Sequence, residues 1–174
     1  GKNISVMNDI TTEMETISGI TLLDVDPGLD TNRTVVTIVG DPESVIRSAF
    51  LGISKASSLI NMKNHKGAHA RMGATDVCPF VPISNVTMKE CVEYSHQLAK
   101  MVGEELNIPV FMYEFSASSK KRKNLANIRK GEFEGMFEKM KTAKWKPDYG
   151  PGLPHKTAGV TAIGARNFLI AYNI

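Results

Sequence analysis

Cysteine is scarce in this chain, tryptophan is scarcer, and long apolar runs are missing altogether. The two cysteines, Cys78 and Cys91, fall in what read as a strand and a helix, with no CxxC or other ligand spacing, so no disulfide framework or zinc ribbon is encoded. They read as buried free thiols of a reducing compartment, and the cytoplasm is the expected setting. No stretch approaches the roughly 20 apolar residues of a membrane helix, and the first residues lack the charged, apolar and small-residue succession of a signal peptide. Charge of one sign is not in strong excess either. Lys and Arg number 21 against 18 Asp and Glu, and the resulting +3 suits a small anionic ligand better than a nucleic-acid groove. Neither nucleic acid nor membrane is therefore an expected partner. What is present, 42% hydrophobic and 22% charged residues over 174 positions, suffices for one domain with its own core.

Periodicity lays out helices and strands in alternation. Met7, Ile10, Met14 and Ile17 step by three and four, predicting a helix over Ile4–Ile17 that Gly19 stops. Ile20–Asp26 alternates as a strand, with Leu23 and Val25 on one face and Asp24 and Asp26 on the other, and Pro27-Gly28 turns it. Thr34–Val39 is β-branched throughout and is expected to be a central strand, buried on both faces and paired with the first. Asp41 before Pro42 caps a long helix whose stripe is Val45, Ala49, Phe50, Ile53, Ala56 and Ile60. Val77–Ile83 holds Pro79 and Pro82, which cannot donate to a ladder, so an edge strand is expected. Thr87 and Glu90 form a capping box, stapled by Val86 and Cys91, for a helix running to about Leu106. Val110–Phe115 is a further strand, Lys120–Lys123 a solvated helix start, and Leu125–Lys141 one or two short helices broken near Gly131. A glycine- and proline-rich loop over Pro147–Thr157 and a closing strand over Phe168–Tyr172 complete the layout, an α+β sandwich of helices on one mixed sheet. The chain opens directly on a helix and closes on a strand ending at Ile174, which reads as a fragment of a longer protein.

The chemistry concentrates in the connection Lys63–Thr75, longer than the usual 4 to 6 or so residues. It holds His65, Lys66, Gly67, His69, Arg71 and Gly73. His65 and His69 have the HxxxH spacing of a zinc site, but Lys66 stands where a zincin has Glu and Gly67 weakens any helix, so no metal is expected. For His69 the bland reading is a surface loop residue. Arg71 two residues away and the strand-end carboxylates Asp24, Asp26 and Asp76 favour a general acid/base, its tautomer or charge held by one of the three aspartates. The second candidate is Gly150-Pro151-Gly152-Leu153-Pro154-His155-Lys156-Thr157-Ala158-Gly159. It narrowly misses a phosphate loop, because His155 replaces the glycine before Lys156 and no strand precedes it. A surface for a flat ligand, or a long turn, remains, and Trp145 beside it reads as packing.

Read together, Leu22-Leu23-Asp24-Val25-Asp26, Thr31-Asn32-Arg33-Thr34-Val35, His65-Lys66-Gly67 through Arg71-Met72-Gly73-Ala74 and Asp76-Val77-Cys78-Pro79-Phe80 resemble the formiminotransferase family. So do Ile128-Arg129-Lys130-Gly131-Glu132-Phe133-Glu134, Pro147-Asp148-Tyr149-Gly150-Pro151, Gly164-Ala165-Arg166 and Phe168-Leu169-Ile170-Ala171, so the likeness spans nearly the whole chain in order. The resemblance implies a glutamate formimidoyltransferase activity of histidine degradation and one-carbon metabolism. The formimino group passes from N-formimino-L-glutamate to N5 of tetrahydrofolate, a co-substrate, without a metal. It implies His69 as the catalytic histidine, Asp26 as its acidic neighbour, and Gly150–Gly159 as the folate-lining stretch. It further implies a ferredoxin-like fold, with residues 1–174 as the N-terminal subdomain, a C-terminal subdomain across the folate, and a homodimer. The family's opening strand and C-terminal subdomain are not in this sequence, and Ala68 and Ala70 stand where the family commonly has Glu and Pro.

Three roles complete this reading. Arg71 is expected to clamp a substrate carboxylate bidentately, while Lys156 and the basic run near Lys121 draw in the glutamyl tail of folate. Two rivals remain open: an enzyme of the same fold that uses 5-formyltetrahydrofolate, transferring formyl to glutamate or recycling the folate, and a non-catalytic folate-binding or subunit-interaction module. Whether a cyclodeaminase domain follows is also open.

Overall fold

The computed structural model describes residues 2–169. Helix α1 (Ile4–Glu15) begins at Asn3, whose side chain accepts from the Val6 amide at 3.2 Å, and buries Thr11 and Met14. Strands β1 (Ile20–Gly28) and β2 (Arg33–Gly40) form an antiparallel hairpin with Asp26 opposite Val35 and Gly28 opposite Arg33, and a bulge between Leu22 and Asp24. Helix α2 (Pro42–Leu59) is capped by Asp41, which accepts from Ser44 at 3.0 Å. It packs beside α1. The expected pairing of the two strands is present, but the expectation that β2 is buried on both faces is corrected. Thr34, Val36 and Ile38 are half-buried, the first with its hydroxyl against Met7 of α1, while Arg33, Val35 and Thr37 face outward. β-Branched residues favour a pleated strand whether one face is covered or two, so the composition carried no information on that point.

The second half is a three-stranded parallel sheet in the order β3 (Val77–Phe80), β5 (Thr161–Ala165), β4 (Val110–Glu114). The fold is thus α+β, with the two strand directions divided between two sheets. The prolines keep β3 at an edge and it ends at Phe80. Helix α3 (Met88–Glu105) carries the complete capping box of Thr87 and Glu90. With α2 it covers one side of the trio, where Ile53, Leu98, Val102, Met112 and Ile163 pack. The other side is covered by α4 (Lys120–Lys123), α5 (Leu125–Arg129) and α6 (Glu132–Lys139), which with Phe111, Tyr113, Met136 and Ala162 form a second core. Among the described residues the last strand is Thr161–Ala165, buried at every position. Of the expected Phe168–Tyr172, Phe168 is exposed outside any strand and Ile170–Tyr172 lie outside the described residues. The basic run also differs from expectation: Arg122 is buried, pairing with Asp148 at 2.9 Å and donating to the carbonyls of Lys144 and Lys146. Among the described residues no helix is long and apolar enough to cross a membrane.

The histidine loop bridges the hairpin and the parallel trio. At its start, the Nε2–H of His65 donates to the Asn32 carbonyl at 2.9 Å, Asn32 donates from Nδ2 to the Lys66 carbonyl at 2.8 Å, and the Ala68 amide reaches Asp30 O at 3.2 Å. Gly67 lies so close to the hairpin turn that a Cβ there would come within 2.2 Å of the Thr31 carbonyl oxygen. At its end, Met72 is fully buried in the second core, its amide donating to Asp76 Oδ1 at 2.8 Å and its carbonyl accepting from Val160 at 3.1 Å. A Cβ on Gly73 would overlap the backbone that leads into β5, 2.0 Å from Val160 O. The other oxygen of Asp76 takes the Arg129 guanidinium, both side chains being 17% exposed.

Two outcomes follow from these anchors. Asp76→Ala strands the Arg129 charge and the Met72 amide, and a loss of about 3 kcal/mol is expected, the low end of what breaking a buried pair costs. Urea unfolding measures it, and an unchanged midpoint would refute the anchor. His65 has its pKa held below the ordinary 6.5, first by burial and then by the Arg71 charge, against the opposing Asn32 carbonyl. Its Nδ1 is buried with no partner for a proton among the described residues. Because the folded value lies below the unfolded one, unfolding takes up a proton. This contribution to stability is complete above about pH 6.5 and is lost as the pH falls below it toward the folded value. The urea midpoint is expected to drop on acidification through that window, and to drop less in His65→Gln.

Candidate functional site

The outer face of the hairpin and the crest of the histidine loop meet at His69. In an antiparallel pair, opposed residues share a face, so Asp26, Val35, Gly28 and Arg33 all lie on the outward side of β1 and β2. From that side the Arg33 guanidinium donates from Nη1 to Nε2 of His69 at 3.3 Å. A guanidinium only donates, so Nε2 is an acceptor and the ring proton sits on Nδ1. His69 is half-buried, with exposed Ala68 and Ala70 on either side. Asp26 is exposed and shares the face diagonally with Arg33, but its side chain bonds to nothing among the described residues. The structure thus brings His69 to Arg33 and leaves Asp26 on the same surface without direct contact.

Arg71 points the other way. Its guanidinium reaches Glu132 at 2.7 Å, both oxygens of Glu134 at 2.7 and 2.9 Å, and the His65 carbonyl at 3.2 Å. The bidentate carboxylate expected of a substrate is supplied here by Glu134 of the same chain, whose pKa the guanidinium lowers. Arg71 is 13% exposed and Glu134 66%, so the arginine is the fixed partner and the glutamate the movable one. A recess of about 470 Å³ opens beside them, with Lys66, Gly67 and Gly131 in its wall.

The Gly150–Gly159 loop is joined to the histidine loop through backbone. Ala74 N donates to Ala158 O at 2.9 Å, Met62 N to Thr157 O at 2.8 Å, and Gly73 bridges Gly159. His155 closes the loop on itself, exchanging amide and carbonyl with Gly159 at 2.9 Å each and accepting from Ala158 N at Nδ1, 3.0 Å away. Pro154, Ala158 and Gly159 are buried; Gly150, Gly152, Leu153 and Lys156 are exposed. The outward surface is therefore glycine backbone, Leu153 and Lys156, with Lys146 near Gly152. Lys121 and Lys144 are close enough that the second holds the first below its ordinary pKa, and with Lys146 they edge a hollow of about 510 Å³. Trp145 serves as packing, edge-on to Phe111 with the Lys139 ammonium 4.0 Å over its ring. That ammonium also meets the carbonyls of Asn127, Ile128 and Lys130, and burial brings its pKa down to about 8.

Residue-by-residue reasoning missed Arg33, Glu132 and Glu134. Arg33 has the same strand phase as exposed Val35 and Thr37, which is a legible signal once the inward face is known. The glutamates pair with a residue 61 or 63 positions away, which no local pattern reports.

Comparison with known proteins adds the family. Residues 1–166 match the model of the formiminotransferase domain, N-terminal subdomain. Over all 174 residues the chain is 50% identical to a glutamate formimidoyltransferase of Streptococcus pyogenes serotype M1, of which it covers 58%. It is 48% and 47% identical to formimidoyltransferase-cyclodeaminases of Dictyostelium discoideum and Mus musculus, of which it covers 32% each. The chain thus spans little more than half the length of the bacterial relative and a third of the two-activity relatives. With every one of its residues aligned in those comparisons, the chain belongs to the formiminotransferase family, at the position of the N-terminal subdomain.

Proposed function

We propose that this chain is the N-terminal subdomain of a glutamate formimidoyltransferase, moving the formimino group of N-formimino-L-glutamate to N5 of tetrahydrofolate with His69 as general acid/base. The observation that carries the reading is the 50% identity over the whole chain to a protein of that name. The site is compatible with it. A transfer between two nitrogens needs one group that takes a proton from the attacking amine and returns it to the departing one, and a neutral imidazole does both. His69 presents Nε2 as an acceptor to Arg33 and lies half-buried at the outward face of the hairpin.

Tetrahydrofolate, as co-substrate, supplies the nucleophilic nitrogen. The residues fit it in two respects. The Gly150–Gly159 loop offers a surface of exposed glycine backbone and Leu153 to a flat ring, and Lys121, Lys144 and Lys146 stand beside it for an anionic tail. Asp26 offsets the positive charge of the formimino group from the same hairpin face as Arg33. Arg71 takes a substrate carboxylate only by exchanging it for Glu134. The reading includes a second formiminotransferase subdomain across the folate, a homodimer, and a cytoplasmic setting. The first is supported by the length of the relatives beyond this chain, and the last by two free cysteines, one of them, Cys78, with its thiol pushed up to about 12 by burial.

Assays belong on the two-subdomain protein. His69→Ala is expected to cut formimino transfer by roughly 10²–10⁴-fold, the usual worth of a positioned acid/base, while leaving the unfolding midpoint in place. Undiminished turnover would favour a binding module instead. Running 5-formyltetrahydrofolate as donor in parallel separates the formimino from the formyl reading.

A further inference from the structure

We propose that Arg33 is the carboxylate-binding residue of the site, and that it holds Nε2 of His69 until an acidic substrate draws its guanidinium away. The inference rests on the formimidoyl-transfer reading for its substrate, and on three observations for its residue.

First, Arg33 is exposed, and its guanidinium has no carboxylate partner among the described residues. Arg71, Arg122 and Arg129 are each paired with an acid of the chain, at Glu134 and Glu132, Asp148 and Asp76. An exposed guanidinium prefers a carboxylate to a neutral imidazole, because the carboxylate carries the opposite charge and takes two N–H groups in a fork, whereas one imidazole nitrogen offers a single lone pair.

Second, the bond Arg33 does make is at the one nitrogen that must be open for His69 to accept a proton. With the ring proton on Nδ1, Nε2 carries the only lone pair in the ring plane, and the Arg33 N–H covers it at 3.3 Å. That distance is long for a charged donor, so little is lost when it breaks.

Third, the register sets the reach. Arg33 lies at the mouth of the hairpin, opposite Gly28, which has no side chain to compete for the guanidinium. The histidine loop is pinned to the hairpin by the His65, Asn32 and Ala68 bonds. Arg33 can therefore swing between His69 and a ligand while the imidazole stays put. A substrate carboxylate that captures Arg33 uncovers Nε2, so binding of the acid and arming of the base are one event. An analogue without carboxylates leaves the base covered and loses turnover as well as affinity.

Two measurements test this. In the first, long-range ¹H–¹⁵N spectra of the 174-residue chain follow the His69 ring nitrogens while glutarate, a plain dicarboxylate, is added. Nε2 is expected to start as a hydrogen-bonded acceptor and move toward the free-acceptor position as the Arg33 side-chain signals shift. In Arg33→Ala it is expected at the free position from the outset. A wild-type spectrum in which glutarate moves neither residue overturns the proposal, and this arm does not depend on formimino transfer. The second compares N-formimino-L-glutamate with its bis-amide as donors to tetrahydrofolate, using the two-subdomain protein. The wild type is expected to prefer the acid, and Arg33→Ala to cut that preference in kcat/KM roughly 10- to 100-fold, as for a lost bond to a charged group. Arg33→Lys is expected to recover part of it. An Arg33→Ala enzyme that discriminates as well as the wild type overturns the proposal even where the transfer activity is sound. A wild type that shows the glutarate response and no transfer leaves Arg33 as a carboxylate site and removes the reaction assigned to it.

Discussion

The Asp76 carboxylate anchors the histidine loop to the parallel half of the molecule. One oxygen holds the Met72 amide and the other holds Arg129, so a residue of β3's approach fixes both the end of the histidine loop and the helix that covers the second core. Met72 then has only one place to put its side chain, and Gly73 and Ala74 run against Ala158–Val160 as an added piece of backbone pairing. At the other end the loop is docked on the β1–β2 turn by His65 and Ala68. Between two such clamps the position of His69 follows from chain length. A side chain on a loop held this way needs little reorganisation to meet a ligand.

Charge pairing obeys the same division of labour. A buried ion pair adds little net stability, because desolvation offsets its attraction, but it fixes geometry severely, since neither partner can be left alone. Arg129–Asp76 holds the histidine loop, and Arg122–Asp148 holds the entry to the glycine-rich loop, with Asp148 also accepting the Met112 amide of β4 at 2.8 Å. Arg71 with Glu134 is a different kind of pair, one member nearly buried and the other mostly in water, so its energy is screened and its geometry can change. Arg33 and the lysines near Lys121 are among the cations with no carboxylate partner in the described residues, and they are exposed.

Local physics carried the elements whose causes are local. Asp41 with Pro42, and Thr87 with Glu90, fix helix starts within a few residues, and both helices begin where those residues place them. The prolines of β3 gave its edge position for the same reason. The strand Thr161–Ala165 escaped because its residues are small: a central strand covered on both sides needs no β-branched run when large side chains arrive from α3 and α6, and Ala162, Gly164 and Ala165 make room for them. Arg122 escaped because three exposed lysines surround it, and only the fold shows that one side of that turn faces Asp148. For the site, the family likeness pointed to His69 and to Gly150–Gly159. The partners of those residues depend on strand register and on contacts tens of residues apart, and a single sequence does not print them.

The alanines flanking His69 bear on the same electrostatics. Where the family commonly has Glu before its histidine, this chain has Ala68, whose amide is committed to Asp30 O. With alanine there, the guanidinium rests on Nε2, and the nearest acid on its own face is Asp26, a diagonal neighbour with which it forms no ion pair. The site is thus one negative charge poorer than the family pattern. The chain therefore sets no counter-charge of its own against Arg33 on this face, and a carboxylate arriving from outside meets no competing acid there.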